Sequence, residues 1–272
     1  YLKTAQLTLL SSSQIQSLSP EQLGAMKLAY LTTAQVAALT ADQISNASAV
    51  VVSSLSPDQF EAFSSQQISA LSISQINALT ASQVAKLDTN ELQALNDEQL
   101  AALSEKQIAG LSTQHISTLL ALSALPFSES QVAGISTAAV AALNATDIGY
   151  FSEDQIRGLS STQVRAMTAT QLNGLNEYKL QALDASDLAA VSTTVLADLA
   201  TTQIANLSTA QVAGLSSSQA KALGTAQLQA MTEEQLQSLS TANIAALTSA
   251  QVKELKTQQI AALGTRQIQS LT

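Results

Sequence analysis

One eight-residue pattern repeats along nearly the whole chain and limits the fold more than any other feature. Written from its first polar residue, the pattern is [S/T/N/D]-x-x-Q-[I/V/L]-x-[A/G]-L. Residues 32–271 contain thirty consecutive copies without an insertion or deletion. Three further copies occupy residues 3–26, and a five-residue remnant, KLAYL at 27–31, separates the two groups. A short fixed period is typical of repeat architectures, in which each unit packs on its neighbours.

The polar columns of the octad predict where helices begin. Column one is Ser or Thr in twenty of the thirty octads and Asn or Asp in five, and these are the preferred helix N-caps. Column four is Gln in twenty octads and Glu at Glu91, which completes a capping box by reaching back to the N-cap amide. Pro20 and Pro57 fall in column two, the first helical residue, where proline is favoured. Octads without a capping residue begin at Leu120, Ala200, Gly224, Lys256 and Gly264.

The apolar columns exclude the simplest alternatives to a chain of short helices. Columns five and eight are large and apolar almost throughout, and together they form the pair of a hydrophobic staple. In one continuous helix, equivalent positions would rotate by about 80° per octad and the apolar stripe would be lost. A coiled coil needs a period near 3.5 residues, and a strand would place columns five and eight on opposite faces. The chain is therefore predicted to turn a corner about once per octad.

We predict an all-α fold, an α-solenoid or superhelix of very short helices, with one helix of about five or six residues per octad. Helices this short are unstable alone, so stability has to come from stacking. The pattern leaves open how many octads form one superhelical turn, and a pair of octads fused into one bent helix is also compatible with it. Small residues in column seven, such as Gly110 and Gly134, predict tight corners and close approach of neighbouring turns.

The domain prediction is a single continuous solenoid, with an N-terminal part at 1–31 and an uninterrupted array at 32–271. Because the sequence starts at Tyr1 without an initiator Met or a signal-peptide pattern, we expect it to be a fragment of a longer protein. Three stretches depart from the octad, at 27–31, 48–55 and 120–127. They are either drift in a tolerant array or bends and partner-contact patches.

Composition excludes several classes of partner. The net charge of −9, with 11 Lys plus Arg and no basic cluster, argues against nucleic acid, whose binding requires clustered cations. No apolar run is long enough for a membrane span. The absence of Cys excludes disulfides, thiolate metal sites and a Cys nucleophile. It fits both a reducing cytoplasm and an exported protein that avoids cysteine.

The residue types that carry chemistry are sparse and occupy structural columns. His115 is the only histidine and replaces the capping Gln, so we interpret it as a substituted cap. The carboxylate pairs Asp97–Glu98, Glu153–Asp154 and Glu233–Glu234 lie in first turns, where they complement the helix dipole. No nucleophile elbow or phosphate-binding glycine motif is present. We therefore expect no catalytic, cofactor-binding or metal site, no cofactor and no enzymatic activity.

Two segments carry a resemblance to a known group of proteins: LSTAQVAGLSSSQ at 207–219 and LTSAQVKELKTQQIAALGTRQIQSL at 247–271. They resemble the [S/T]-x-x-Q-[I/V]-x-A-L arrays of very large secreted or surface proteins of Gram-negative bacteria. Those proteins are described as adhesin-like, hemagglutinin-like or "heme utilization or adhesion" proteins. The resemblance implies an extracellular or cell-surface location. The heme description transfers no residue, because one His and no Cys offer little to ligate iron.

Three functional hypotheses follow. The first is a repeat scaffold or stalk of an exported bacterial surface protein, with an unidentified protein or cell-surface partner and with end-to-end or lateral self-association. The second is an α-solenoid that binds a protein or peptide on its concave face, although columns two, three and six show no recurring aromatic or charged residue. The third is a Ser/Thr ladder that binds a repetitive surface such as polysaccharide or ice. Hydroxyls engaged as N-caps would weaken the third hypothesis.

Overall fold

The fold is all-α in each of two compact units, Tyr1–Ser136 and Thr137–Thr272. The computed structural model describes residues 4–24, 26, 28–121 and 126–271. Within those ranges the regular structure is helical and contains no strand. None of the helices in the described ranges is both long and apolar enough to cross a membrane. The predicted fold class, an α-solenoid of very short helices, is confirmed.

The helices follow the octads closely. Unit 1 contains α1 (Thr4–Leu7), α2 (Ser12–Gln16), α3 (Pro20–Gly24), α4 (Thr33–Ala37), α5 (Ala41–Ser45), α6 (Ala49–Ser53), α7 (Pro57–Phe60), α8 (Ser65–Ser69), α9 (Ile73–Ala78), α10 (Ala81–Val84), α11 (Thr89–Gln93), α12 (Asp97–Ala101), α13 (Glu105–Ile108), α14 (Thr113–Ala121) and α15 (Glu129–Ala133). Unit 2 contains α16 (Thr137–Ala142), α17 (Ala145–Tyr150), α18 (Glu153–Arg157), α19 (Ser161–Ala166), α20 (Ala169–Asn173), α21 (Glu177–Ala182), α22 (Ala185–Ala190), α23 (Thr193–Ala197), α24 (Thr201–Ala205), α25 (Thr209–Ala213), α26 (Ser217–Ala222), α27 (Thr225–Ala230), α28 (Glu233–Ser238), α29 (Thr241–Ala245), α30 (Ser249–Lys253), α31 (Thr257–Ala262) and α32 (Thr265–Ser270).

The corner between two helices is made by two extended residues, those of columns eight and one. After α9, Leu79 has φ −59° and ψ 142°. The next residue, Thr80, has φ −77° and ψ 154°, and its side chain caps α10. A cap in the extended region stops one helix and starts the next at an angle. The prediction of one corner per octad is thereby confirmed.

Stacking within each unit defines the superhelical turn that the sequence left open. A helix packs on the helix three octads further on, as α6 does on α9 and α25 does on α28. Hydrogen bonds between turns span 25 to 31 residues, which is between three and four octads. Columns five and eight form the core: Ile76 is 0% exposed and Leu79 is 5% exposed. Each turn therefore lies on the one before it, with aliphatic side chains between them.

In the irregular stretch at 27–31, residues 28–31 form the second half of an octad, and Lys27 lies outside the described residues. Leu28 and Leu31 are both buried, at 3% exposure, and take the places of columns five and eight. A 3₁₀ turn at Leu28–Tyr30 replaces the α-helix. The remnant therefore keeps the apolar columns of an octad and lacks its first three residues, the cap included.

The other two irregular stretches behave differently from each other. Residues 48–55 form an ordinary octad, in which Ser48 caps α6 and Val52 is buried, while Val50 is 77% exposed. At the start of 120–127, Leu120 has no capping side chain, and α14 continues through the octad boundary to Ala121. Residues 122–125 lie outside the described part of the chain.

Glycine in column seven serves close approach between turns. Gly134 has φ −72° and ψ −19°, which any residue can adopt, so the corner does not depend on glycine's backbone freedom. A Cβ atom at Gly134 would lie 2.8 Å from Cα of Glu105 and 2.9 Å from its carbonyl oxygen. The predicted close approach is confirmed. The tight corner instead comes from the extended residues of columns eight and one.

Gly134→Ala is expected to lower the free energy of unfolding by about 1–3 kcal/mol, because the added methyl group meets the backbone of Glu105. Gly149 is the matched control, since a Cβ atom there meets nothing within 4 Å. Gly149→Ala is expected to raise stability by about 0.5–1 kcal/mol through helix propensity. Urea unfolding followed by circular dichroism measures both. Equal effects of the two variants would contradict the packing interpretation.

Candidate functional site

The most distinctive site in the molecule is a row of buried glutamines. They occupy column four and are at most 8% exposed, whereas the neighbouring column-three side chains are exposed or half-buried. We call this row the glutamine ladder. Its members are Gln35, Gln43, Gln59, Gln67, Gln75, Gln83, Gln99, Gln107 and Gln131 in unit 1, and Gln155, Gln163, Gln171, Gln203, Gln211, Gln219, Gln227, Gln235, Gln251, Gln259 and Gln267 in unit 2.

Gln107 shows how a ladder glutamine links two turns of its unit. In Gln107, Oε1 accepts a hydrogen bond of 2.8 Å from the backbone N–H of Ser104, the N-cap of its own helix. Its Nε2 donates to the carbonyl oxygens of Ile76 at 2.7 Å and Leu79 at 2.8 Å, which lie 31 and 28 residues earlier. One side chain thus satisfies an orphan donor at one helix start and acceptors at the end of another. The capping box was predicted, but the bond between turns was not.

The Ser and Thr hydroxyls of column one are engaged as caps. Ser72 Oγ accepts from the backbone N–H of Gln75 at 3.3 Å, and Thr80 Oγ1 accepts from Gln83 at 3.2 Å. Gly224 has no hydroxyl, yet its N–H still donates to Gln227 Oε1 at 2.7 Å. The hydroxyls therefore serve the helices, and this weakens the hypothesis that they form an outward binding ladder.

Ala200 lacks both a capping side chain and the usual glutamine bond. Its backbone N–H donates instead to Asn173 Oδ1 at 2.9 Å, and Asn173 Nδ2 donates to the carbonyl of Asp198 at 3.3 Å. An amide on the neighbouring turn thus replaces the missing half of the capping box. This compensation explains how an octad without a cap keeps its helix.

Where another residue replaces Gln in column four, part of the hydrogen bonding between turns is kept. Lys179 Nζ donates to the carbonyl of Gly149 at 2.6 Å. Asn243 Nδ2 donates to the carbonyl of Leu215 at 2.8 Å. Asp187 cannot donate, and its Oδ1 accepts from the hydroxyl of Ser161 at 2.8 Å. The link between turns therefore tolerates several residue types that can reach the preceding turn.

His115 is placed in column four, as predicted. Its Nδ1 accepts from the backbone N–H of Ser112 at 3.2 Å, and Ser112 Oγ accepts from the N–H of His115. Burial lowers the pKa of the imidazole, and the negative charge of Asp88 partly opposes this. A neutral ring fits the cap, because Nδ1 has to remain an acceptor.

Glu91 is the carboxylate member of the column and is 7% exposed. Its Oε2 accepts from the backbone N–H of Asp88 at 2.8 Å. Burial raises the pKa of Glu91, and repulsion from Asp88 and Glu61 adds to this, while the Asp88 hydrogen bond works in the opposite direction. A carboxylate cannot donate to the preceding turn as a glutamine amide does. At neutral pH, Glu91 therefore links its helix to the preceding turn less strongly than a ladder glutamine does.

Glu91→Gln is expected to raise the free energy of unfolding at pH 7 by about 1–2 kcal/mol, because it restores an amide donor and removes a buried charge. The unfolded chain loses the Glu91 proton at a lower pH than the folded chain does. Wild-type stability from this group is therefore complete in acid and is lost as pH rises through the raised pKa. The gain in the variant should accordingly be smaller below the ordinary glutamate pKa.

The measurement for Glu91→Gln is urea unfolding at pH 4 and pH 7. Glu98→Gln, which alters an exposed carboxylate in the neighbouring octad, is the matched control and should change stability by less than about 0.5 kcal/mol at either pH. A loss of stability in Glu91→Gln at pH 7 would contradict the interpretation that Glu91 links the turns less strongly than a glutamine.

The predicted carboxylate pairs are not brought together into a site. Asp97–Glu98, Glu153–Asp154 and Glu233–Glu234 are exposed in first turns, and Asp154 pairs with Arg157 at 2.6 Å. Lys86 lies between Asp58 at 3.1 Å and Glu61 at 2.8 Å on the preceding turn. Within the described ranges, no group of His, Cys, Asp or Glu side chains is arranged to hold a metal ion.

The sequence contained a signal for the ladder. A capping box accepts Glu as readily as Gln, because only the side-chain oxygen is used. Column four nevertheless has Gln in twenty octads and Glu only at Glu91. That preference indicates that the amide nitrogen is needed as well, and the structure shows its acceptors on the preceding turn.

The fold and the ladder define a structural repeat protein, in which an eight-residue unit supplies its own cap, core and link between turns. Comparison with protein families agrees: the ALTTAQ repeat matches residues 52–89, 84–119 and 241–272. The letters A-L-T-T-A-Q correspond to columns seven, eight, one, two, three and four, and residues 246–251 (ALTSAQ) differ at one place. Comparison with curated proteins gave no match.

Proposed function

We propose that this chain is a non-catalytic repeat scaffold that forms the stalk of an exported, adhesin-like bacterial surface protein. The observation that carries the proposal is how the octad uses its recurring side chains. Columns one and four hold the helices and turns together through hydrogen bonds, as in Ser104 and Gln107, and columns five and eight fill the core. The recurring residues of the octad thus have structural roles, as a scaffold requires.

The outward columns are suited to a stalk because they vary without disturbing the fold. Columns two and three are largely exposed and carry Ser, Thr, Ala, Asp and Glu in changing order. The negative charge of −9 keeps such a surface soluble. A chain without Cys can also be exported without forming wrong disulfides. The resemblance of residues 207–219 and 247–271 to arrays in large surface proteins supports the same proposal.

The test is where the protein resides in the bacterium that encodes it. An antibody raised against the 272-residue chain should label intact cells or detect the protein in the medium. Brief protease treatment of intact cells should remove the cell-bound signal and spare a cytoplasmic marker protein. Detection only after lysis, together with protection from protease, would overturn the proposal.

A further inference from the structure

Two tyrosines of unit 2 lie on its outer surface and have no aromatic or hydrogen-bonding partner. Tyr178 is 68% exposed and Tyr150 is 52% exposed, whereas all four phenylalanines are buried. In the part of the chain that the structure describes, neither tyrosine ring contacts another aromatic ring and neither hydroxyl makes a hydrogen bond. Each side chain therefore offers an apolar ring face and a free hydroxyl group to a ligand.

The stacking of turns brings the two tyrosines together. Tyr150 is the last residue of α17, and Tyr178 lies in the first turn of α21. Lys179, which follows Tyr178, donates a hydrogen bond of 2.6 Å from Nζ to the carbonyl oxygen of Gly149, which precedes Tyr150. The two tyrosines are therefore neighbours on adjacent turns of unit 2, although 27 residues separate them in the sequence.

A shallow cavity of about 390 Å³ opens beside Tyr150. It is lined by Ala145, Thr146, Gly149, Tyr150 and Gly174. A Cβ atom at Gly149 would meet nothing within 4 Å, so the glycine in column six leaves this space open. The volume lies within the range of pockets that bind small molecules. Because Lys179 contacts Gly149, Tyr178 lies next to the rim of the same cavity.

The groups around the cavity favour a neutral saccharide over a peptide or an anion. A sugar ring has an apolar C–H face, which can pack on a tyrosine ring, and hydroxyl groups that both donate and accept hydrogen bonds. The exposed side chains of Thr146 and Glu177 can bind such hydroxyls. A peptide needs donors for its carbonyl groups, but Nζ of Lys179 is already bonded to Gly149. The carboxylate of Glu177 and the net charge of −9 disfavour an anionic ligand.

We propose that Tyr150 and Tyr178 form a binding site for a neutral saccharide on the surface of unit 2. Sugar rings pack on the two tyrosine faces and over the cavity at Gly149, while Thr146 and Glu177 bind sugar hydroxyls. The site is built from two adjacent turns, so it exists only where the octads are stacked. It uses outward residues that the scaffold itself does not need, and it therefore adds a binding activity to the proposed structural role.

The first test is isothermal titration calorimetry of the purified chain with cellotetraose, maltotetraose and chitotetraose, each up to about 10 mM. We expect at least one of them to bind with a Kd of about 0.1–1 mM. Tyr150→Ala and Tyr178→Ala should each weaken that binding by about tenfold, because a stacking face is lost, whereas Tyr150→Phe should retain most of it. Tyr30→Ala removes an exposed tyrosine of unit 1 and should leave binding unchanged.

The second test fills the cavity and keeps both tyrosines. Gly149→Gln should abolish binding with unchanged helix content by circular dichroism, because glutamine already occupies column six at Gln229 and Gln237. Ala213→Gln makes the matched change at an exposed column-six position of α25 and should bind like the wild type.

Three results would overturn the proposal: no binding of any of the three saccharides, binding by Gly149→Gln at the wild-type affinity, or binding of octaproline at this site in place of the saccharides. All of these measurements use the purified chain, so they are independent of where the protein resides in the cell.

Discussion

Gln67→Ala is expected to lower the free energy of unfolding by about 3 kcal/mol or more. The substitution removes the acceptor of the Ser64 N–H, at 2.6 Å, and the donor to the Leu39 carbonyl, at 2.6 Å. Both backbone groups are then left in a buried environment, where each unsatisfied group costs about 1–3 kcal/mol. The cavity left by the side chain adds to this loss. Urea unfolding measures the effect.

A second substitution at the same position separates the two roles of the side chain. Gln67→Glu keeps the oxygen that caps α8 and loses the donor to Leu39, so its loss of stability at pH 7 should be smaller than that of Gln67→Ala. In acid the carboxyl group is protonated and can donate to Leu39 again, so the loss of stability should decrease. The adjacent Gln66 is exposed, and Gln66→Ala should change stability by less than about 0.5 kcal/mol. Equal losses at Gln66 and Gln67 would show that helix propensity, rather than the ladder, determines the result.

Ile76→Ala is expected to cost about 2–5 kcal/mol, because a fully buried column-five side chain is replaced by a cavity. The same helix, α9, supplies the control: Ile73 lies in column two and is 39% exposed. Ile73→Ala should cost less than about 1 kcal/mol. Urea midpoints of the two variants against the wild type decide the comparison. A larger loss at Ile73 would mean that column five does not form the core.

Much of the fold could be predicted because each octad carries its own local instructions. The cap at Ser72, the core residue Ile76 and the corner at Leu79 are set by residues within eight positions of one another, and all three are where the sequence places them. The number of octads per turn could not be derived. This number depends on how the helices pack against the preceding turn. A pattern that repeats in every octad does not indicate which octads pack against each other.

The site was predicted only in part, for a similar reason. The Oε1 bond of Gln107 is local, three residues long, and therefore visible as a motif. Its Nε2 bonds reach 28 and 31 residues back, to carbonyl oxygens that every residue possesses and that leave no mark in the sequence. At Leu120 the absence of a cap was visible in the sequence, but the continuation of α14 to Ala121 was not predicted from it.

The length of the turn also has a genetic consequence. Within a unit, bonds between turns span 25 to 31 residues, which is more than three and fewer than four octads, so successive octads point in different directions around the axis. An in-frame duplication of one octad keeps the cap and core residues of every octad, yet rotates the octads that follow it in the same unit by about 100°. Duplicating seven octads, about the length of two turns, returns the following octads close to their original direction. The array can thus change its length by whole octads and keep its fold, whereas keeping the direction of a surface feature requires larger blocks.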